Sequence, residues 1–113
     1  MTAQDDLVER VRAALADHPS LREVAMFGGR SFMINDKIAV AARKGGDLLV
    51  RVAAADHAEL IKRPGAGQAT MGTDRTMGPG WISVEAASLD TEAELAYWLE
   101  IAVNYNRSVT DQG

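Results

Sequence analysis

Near the start of the chain, apolar residues recur at helical spacing. Leu7, Val8, Val11, Ala14 and Leu15 share one face, while Glu9, Arg10, Arg12 and Asp17 take the other. The pattern predicts a helix over 5–18, ended by Pro19, because the residue before a proline is pushed out of the α region. Asp6 and Arg10 have the spacing of an i,i+4 ion pair. From about residue 21 the period shortens to two. Strands are predicted over 23–27, 30–34, 37–43 and 47–52, with turns at Asn35-Asp36 and Lys44-Gly45-Gly46. Ile38, Val40 and Ala42 are expected on one face, with Lys37 and Arg43 on the other. Leu48, Val50 and Val52 likewise oppose Asp47 and Arg51. Short turns imply antiparallel neighbours, and the alternation implies one buried face and one wetter face.

A short helix is predicted over 56–62 with Asp56 as its N-cap, stopped by Pro64-Gly65. Residues 64–80 are the least regular part, holding five of the ten glycines and two of the three prolines. An edge-like strand is expected there over 68–71. The next strand, 80–85, sets Trp81, Ser83 and Glu85 opposite Ile82 and Val84. A final helix is predicted over 91–108, where Thr91-x-x-Glu94 has the capping-box form. Its apolar arc is broad. Leu95, Leu99, Ala102 and Val103 form one face, Tyr97, Ile101 and Tyr105 a second, and Trp98 joins them. Such a helix packs on both the sheet and another helix, or lends Tyr97, Trp98, Ile101 and Tyr105 to an oligomer interface. The reading is an α+β fold in two layers. An antiparallel five- or six-stranded sheet packs with helices in the order α-β-β-β-β-α-β-β-α, in a single domain over 1–113.

Composition narrows the function classes. The 113 residues suit one core, and the absence of cysteine removes disulfides, thiolate metal sites and cysteine nucleophiles. The net charge of -4 argues against a surface dominated by non-specific nucleic-acid binding. No apolar run approaches the roughly 18 residues that span a bilayer, and the polar, acidic start is unlike a signal peptide, so a cytoplasmic location is expected.

Candidate chemistry is sparse. There are two histidines, and both read as structural: His18 at a helix end, and His57 beside Asp56 with no third group to orient it. Acidic residues are spread over solvent faces, so no metal is expected, and no catalytic set or cofactor site is visible. Among basic residues, Lys37, Arg43 and Arg51 are expected together on the wetter sheet face. The segment 64–80 beside Trp81, with Arg30, Arg51, Arg63 and Arg75 as carboxylate or phosphate clamps, outlines an alternative: a small-molecule or anion-binding domain, or an enzyme. On that reading Met26, Phe32, Met71 and Trp81 would line an apolar pocket.

One stretch remains, Met26-Phe27-Gly28-Gly29-Arg30-Ser31-Phe32-Met33. A glycine pair inside a strand pattern predicts a bulge, a bend or a tight link. A strand follows it, and phosphate cradles need a helix there. The run Val24-x-Met26-Phe27-Gly28-Gly29-x-x-Phe32-Met33, with Lys37-Ile38-Ala39 and Leu48-Leu49-Val50-Arg51-Val52, resembles the N-terminal domain of the TfoX/Sxy proteins. Arg63-Pro64-Gly65-Ala66, Met77-Gly78-Pro79-Gly80-Trp81-Ile82-Ser83-Val84 and Leu95-x-x-Trp98-Leu99 extend the likeness over most of the chain. The resemblance implies a two-layer α+β fold in the order read above. It also implies a non-enzymatic interaction domain related to competence regulators, which act with a cyclic-AMP receptor protein at promoters. The second, helical domain of full-length members is not expected in a chain ending at Gly113. The resemblance brings no catalytic residues, and Met26, Phe27, Gly28, Gly29, Phe32 and Met33 are expected to define the fold. The partner expected is another protein or a second copy of the chain, with direct nucleic-acid contact disfavoured and no membrane.

Overall fold

The computed structural model describes residues 2–18, 20–26, 29–71 and 75–110. Phe27, Gly28 and Pro19 lie outside these residues, as do the side chains of Met26 and Met71, so the expectations placed on them stand outside the description.

Helix α1 spans Ala3–Ala14, earlier at both ends than its apolar pattern predicts. A capping box sets the start: Thr2 Oγ1 accepts from the Asp5 N–H at 3.1 Å, and the Asp5 carboxylate accepts from the Thr2 N–H at 3.4 Å. Strands β1 (Arg22–Met26), β2 (Gly29–Ile34), β3 (Lys37–Ala42) and β4 (Leu48–Arg51) form an antiparallel meander. Asn35 and Asp36, with φ of 53° and 66°, link β2 to β3 in the left-handed region that a tight hairpin needs. A turn of 3-10 helix, Ala54–Asp56, leads into the one-turn α2, His57–Leu60. Asp56 makes no side-chain capping bond; the helix starts by continuing the preceding turn.

The edge strand expected over 68–71 is divided. Strand β5 is Ala66–Gln68, while β6, Thr70–Met71, pairs with β7, Arg75–Thr76, in a separate ribbon. Strand β8, Trp81–Val84, enters the main sheet between β4 and β5, giving the order β1-β2-β3-β4-β8-β5. A second 3-10 turn, Ala86–Leu89, precedes α3, Glu92–Thr110. The Glu94 N–H donates to Thr91 Oγ1 at 3.1 Å, which makes Thr91 the cap that the sequence predicts.

The core lies between the helices and one face of the sheet. Phe32, Val40, Leu48, Val50, Ile82 and Val84 from the strands meet Val11 of α1 and Leu95, Trp98 and Ala102 of α3. Each of the larger side chains in this set, fully buried, contributes about 1.5–3 kcal/mol. Arg10 does not turn to Asp6 as the spacing suggests. It donates to the Leu89 carbonyl at 2.7 Å and to Glu92 at 3.3 Å, tying α1 to the start of α3.

The pairing of β2 with β3 slips by one residue between Phe32 and Met33. Met33 opposes Ile38 while Phe32 opposes Val40, so Ala39 is the extra residue of a bulge. The phase therefore inverts inside β3. Val40 and Ala42 face the core, but Ile38 turns to the opposite face, where simple alternation would have set it with Val40. The described bulge in this region is thus at Ala39, one strand later than the glycine pair suggests.

Candidate site on the open face of the sheet

Among the described residues, no helix contributes to the small apolar cluster on the second face of the sheet. The residues of this face follow from register. Ser31 opposes Ala41, Ala41 opposes Leu49, and Leu49 opposes Ser83, with Arg51 opposite Trp81 in the next same-face row, two residues away along β4 and β8. The face is more apolar than the alternation predicts. Ala41, Leu49 and Ala69 are buried in a small second cluster, with Met77 and Trp81 packed against it. Ala69 and Met77 are joined at this cluster by the Met77 N–H, which donates to the Ala69 carbonyl at 2.9 Å. Gln68 reinforces it, its side-chain amide donating to the Gly78 carbonyl at 2.9 Å.

Arg51 is held here by two rings and a backbone carbonyl. Its guanidinium carbon stands 4.8 Å from the Trp81 ring centroid and 5.2 Å from that of Tyr105. Nη1 donates to the Gly80 carbonyl at 3.2 Å, and the Val52 N–H donates to the same oxygen at 2.8 Å. Two cavities flank Trp81. One, of about 180 Å³, lies toward Ser31, Leu49 and Arg43; the other, of about 390 Å³, lies toward Met33, Arg51 and Tyr105. Ile38 and Trp81 line both, so the two cavities adjoin along this groove-like face.

Charge is segregated. Arg43 and Lys44 line the smaller cavity and Lys37 and Arg51 the larger, and none of the four has a carboxylate partner among the described residues. Asp36 is the acidic residue of the groove, and it pairs with Arg22 at 3.4 Å. On the helical side Glu23 is held by Arg12 at 2.6 Å, with Arg30 at 3.8 Å. The Arg12 hydrogen bond is the main reason the Glu23 carboxyl stays below the usual carboxylate range, with the charges of Arg12 and Arg30 acting in the same direction against partial burial.

Of the arginines predicted to clamp an anion, the fold brings Arg51 to Trp81 and scatters the others. Arg30 sits on the helical side with Glu23. Arg63 is taken by Glu94 at 3.0 Å and lies 3.7 Å from the Tyr97 ring centroid, and the Glu94 hydrogen bond is the main cause that raises its pKa. Arg75 is exposed on β7. Phe32 is fully buried on the core face, so it shares no pocket with Trp81; its strand neighbour Met33 points the other way and does line the groove. The interface set on α3 also divides. Trp98 is fully buried within its own chain, Tyr97 packs edge-on to it at 5.4 Å, and Tyr105 meets Arg51. The broad apolar arc is thus used largely within the chain, and Val109 is the exposed large hydrophobic residue among the described residues. Pattern points to Arg43 on the wetter face but does not single out Ser31, Ile38 or Lys44 as ligand contacts. The Ala39 bulge hides the placement of Ile38, and Ala69 and Met77 reach the face from irregular parts of the chain.

His57 is structural, accepting at Nδ1 from the Gly80 N–H at 2.9 Å. Among the described residues no group of three or more His, Asp or Glu is placed to hold a metal ion, and no helix is long and apolar enough to cross a membrane.

These features define a two-layer α+β domain with helices on one face of an antiparallel sheet and a cation-lined groove on the other. The chain belongs to the TfoX N-terminal domain family, which matches residues 13–105 and so includes every residue of the groove apart from Asn106 and Val109 at its end. No curated protein and no solved structure matches the chain.

Proposed function

We propose that this chain is a non-enzymatic interaction domain that assists transcription through protein–protein contacts, with the open sheet face as its contact surface. The observation that supports this reading is the groove itself. Unpaired cations and a half-buried Trp81 line an apolar floor on a protein of net charge -4. Arg51 is already fixed between two rings, so little side-chain freedom is lost when a partner docks. Tryptophan and arginine are also the residue types that most often anchor protein interfaces.

The test uses the purified chain and the cyclic-AMP receptor protein of the same cell, followed by calorimetry at several salt concentrations. A complex that weakens with salt, and weakens about tenfold or more in Arg51→Glu, supports the reading. Absence of a complex, or a complex indifferent to Arg51, overturns it. Self-association is the other partner that the sequence suggests, and sedimentation velocity at high micromolar concentration decides it. A second reading, a small-ligand or anion-binding domain, is supported by the apolar lining of the smaller cavity beside Trp81, with Arg43 and Lys44 at it.

A further inference from the structure

We propose that the smaller cavity on the open face is a binding site for a small amphipathic carboxylate with a single ring or a short branched chain as its body. The proposal goes beyond protein contacts and does not depend on them.

The first observation is size and lining. The cavity holds about 180 Å³. A cavity of about 150 Å³ lined by aliphatic and aromatic side chains is enough to take benzene. Ile38, Ala41, Leu49, Met77 and Trp81 supply such a lining. The body of the ligand is therefore one ring, or an aliphatic group of similar volume.

The second observation is Ser31. Its residue is only 3% exposed, it lines the cavity, and its hydroxyl has no hydrogen-bond partner among the described residues. The hydroxyl is therefore free to pair with a ligand oxygen that enters the cavity. The strand opposite offers nothing in its place, since Ser31 faces Ala41 in the register.

The third observation fixes the charge. Arg43 and Lys44 line the same cavity without carboxylate partners among the described residues. Arg43 is held in place by its Nη2, which donates to the Thr70 carbonyl at 2.7 Å. One guanidinium, one ammonium and one hydroxyl beside an apolar floor suit a monoanion. A planar carboxylate matches the flat guanidinium fork of Arg43, and the phenyl phosphate arm of the test below decides between it and a phosphate ester.

The test is a titration of the isotopically labelled full chain by two-dimensional NMR, using benzoate, phenylacetate and 4-methylpentanoate. Benzamide and phenyl phosphate serve as the neutral and dianionic counterparts. Saturable shifts centred on Ser31, Ile38, Leu49 and the Trp81 indole are expected with the carboxylates. Benzamide should bind roughly tenfold or more weakly, the difference expected of hydrogen bonds to a charged group. Arg43→Gln should remove most of that preference while leaving benzamide binding unchanged, and Ser31→Ala should weaken the carboxylates without altering the fold. No saturable shift, or shifts centred elsewhere, overturns the site. Equal binding of acid and amide overturns the carboxylate assignment, as does tighter binding of phenyl phosphate.

Discussion

The backbone N–H of Gly80 donates to Nδ1 of His57 at 2.9 Å in a buried setting, joining two residues 23 positions apart. The bond leaves the imidazole proton on Nε2 and pins the turn that delivers Trp81 to the open face. Gly80 also accepts from Val52 and Arg51, so one residue ties α2, the end of β4 and the start of β8 together. Replacing His57 with leucine keeps the bulk and strands the Gly80 donor. The expected cost is about 1–3 kcal/mol, the penalty of an unsatisfied buried group. Urea denaturation measures it, and an unchanged midpoint would show that the bond holds nothing.

Gly80 itself has a φ of +95°, and a Cβ there would stand 2.9 Å from the Val52 carbonyl oxygen and closer still to the Arg51 guanidinium. Gly80→Ala therefore strains the backbone and displaces Arg51 from its rings. A loss of about 1–3 kcal/mol is expected, with a changed Trp81 indole resonance in the same variant. Retention of both the melting temperature and the resonance would refute the role given to this turn.

Much of the fold was legible because its residues obey local rules. Val11, Phe32, Val50, Ile82 and Val84 sit where periodicity sets them, and the Asn35-Asp36 turn is dictated by residue type. The site was less legible for a physical reason. Strand alternation predicts faces only while the pairing is regular, and the extra residue Ala39 inverts the phase between Ile38 and Val40. Distance in sequence hid the rest. Nothing local to Arg51 announces Tyr105, and nothing near Arg63 announces Glu94, although each pair meets in the fold. Residue type alone made Arg63 and Arg51 look equivalent as anion clamps. Only tertiary contacts show that a carboxylate already occupies the first.

Gly29 begins β2, and a Cβ built on it would lie 2.7 Å from the Ala42 carbonyl oxygen on the neighbouring strand. The neighbour is backbone and cannot swing aside, so Gly29→Val must part β2 from β3. A loss of about 1–3 kcal/mol is expected on the scale of overpacked interiors. Thermal unfolding measures it; a wild-type midpoint would mean that the strand spacing at this point is not constrained.

The pairing of Glu23 with Arg12 makes stability depend on acid. The Glu23 carboxyl is held below its usual value, chiefly by the Arg12 hydrogen bond. A depressed carboxyl stabilises the fold above its unfolded pKa of about 4.3, and the contribution is lost as pH falls through the lower folded value. Glu23→Gln should therefore cost stability at pH 7 and cost progressively less below about pH 4. Urea midpoints of both proteins across that range should converge toward the acid end. Parallel curves would show that Arg12 does not hold the carboxylate in solution.

Arg51 and Trp81 offer the sharpest test of whether the open face is preorganised. The guanidinium lies between two rings, at 4.8 and 5.2 Å, and its Nη1 is bonded to the Gly80 carbonyl at 3.2 Å. Each single change, Arg51→Met or Trp81→Leu, removes the stacking along with other packing, so neither alone isolates it. A double-mutant cycle does, and the coupling expected for a partly exposed cation over an indole is about 0.5–1 kcal/mol. Arg51→Lys separates shape from charge. A lysine keeps the charge but presents a compact ammonium, with no planar fork to lie flat between Trp81 and Tyr105. If stacking fixes the residue, lysine should recover little of the coupling and Trp81 should regain motion on the nanosecond timescale. Full recovery by lysine would mean that charge alone acts here, and that the face becomes ordered only when its partner arrives.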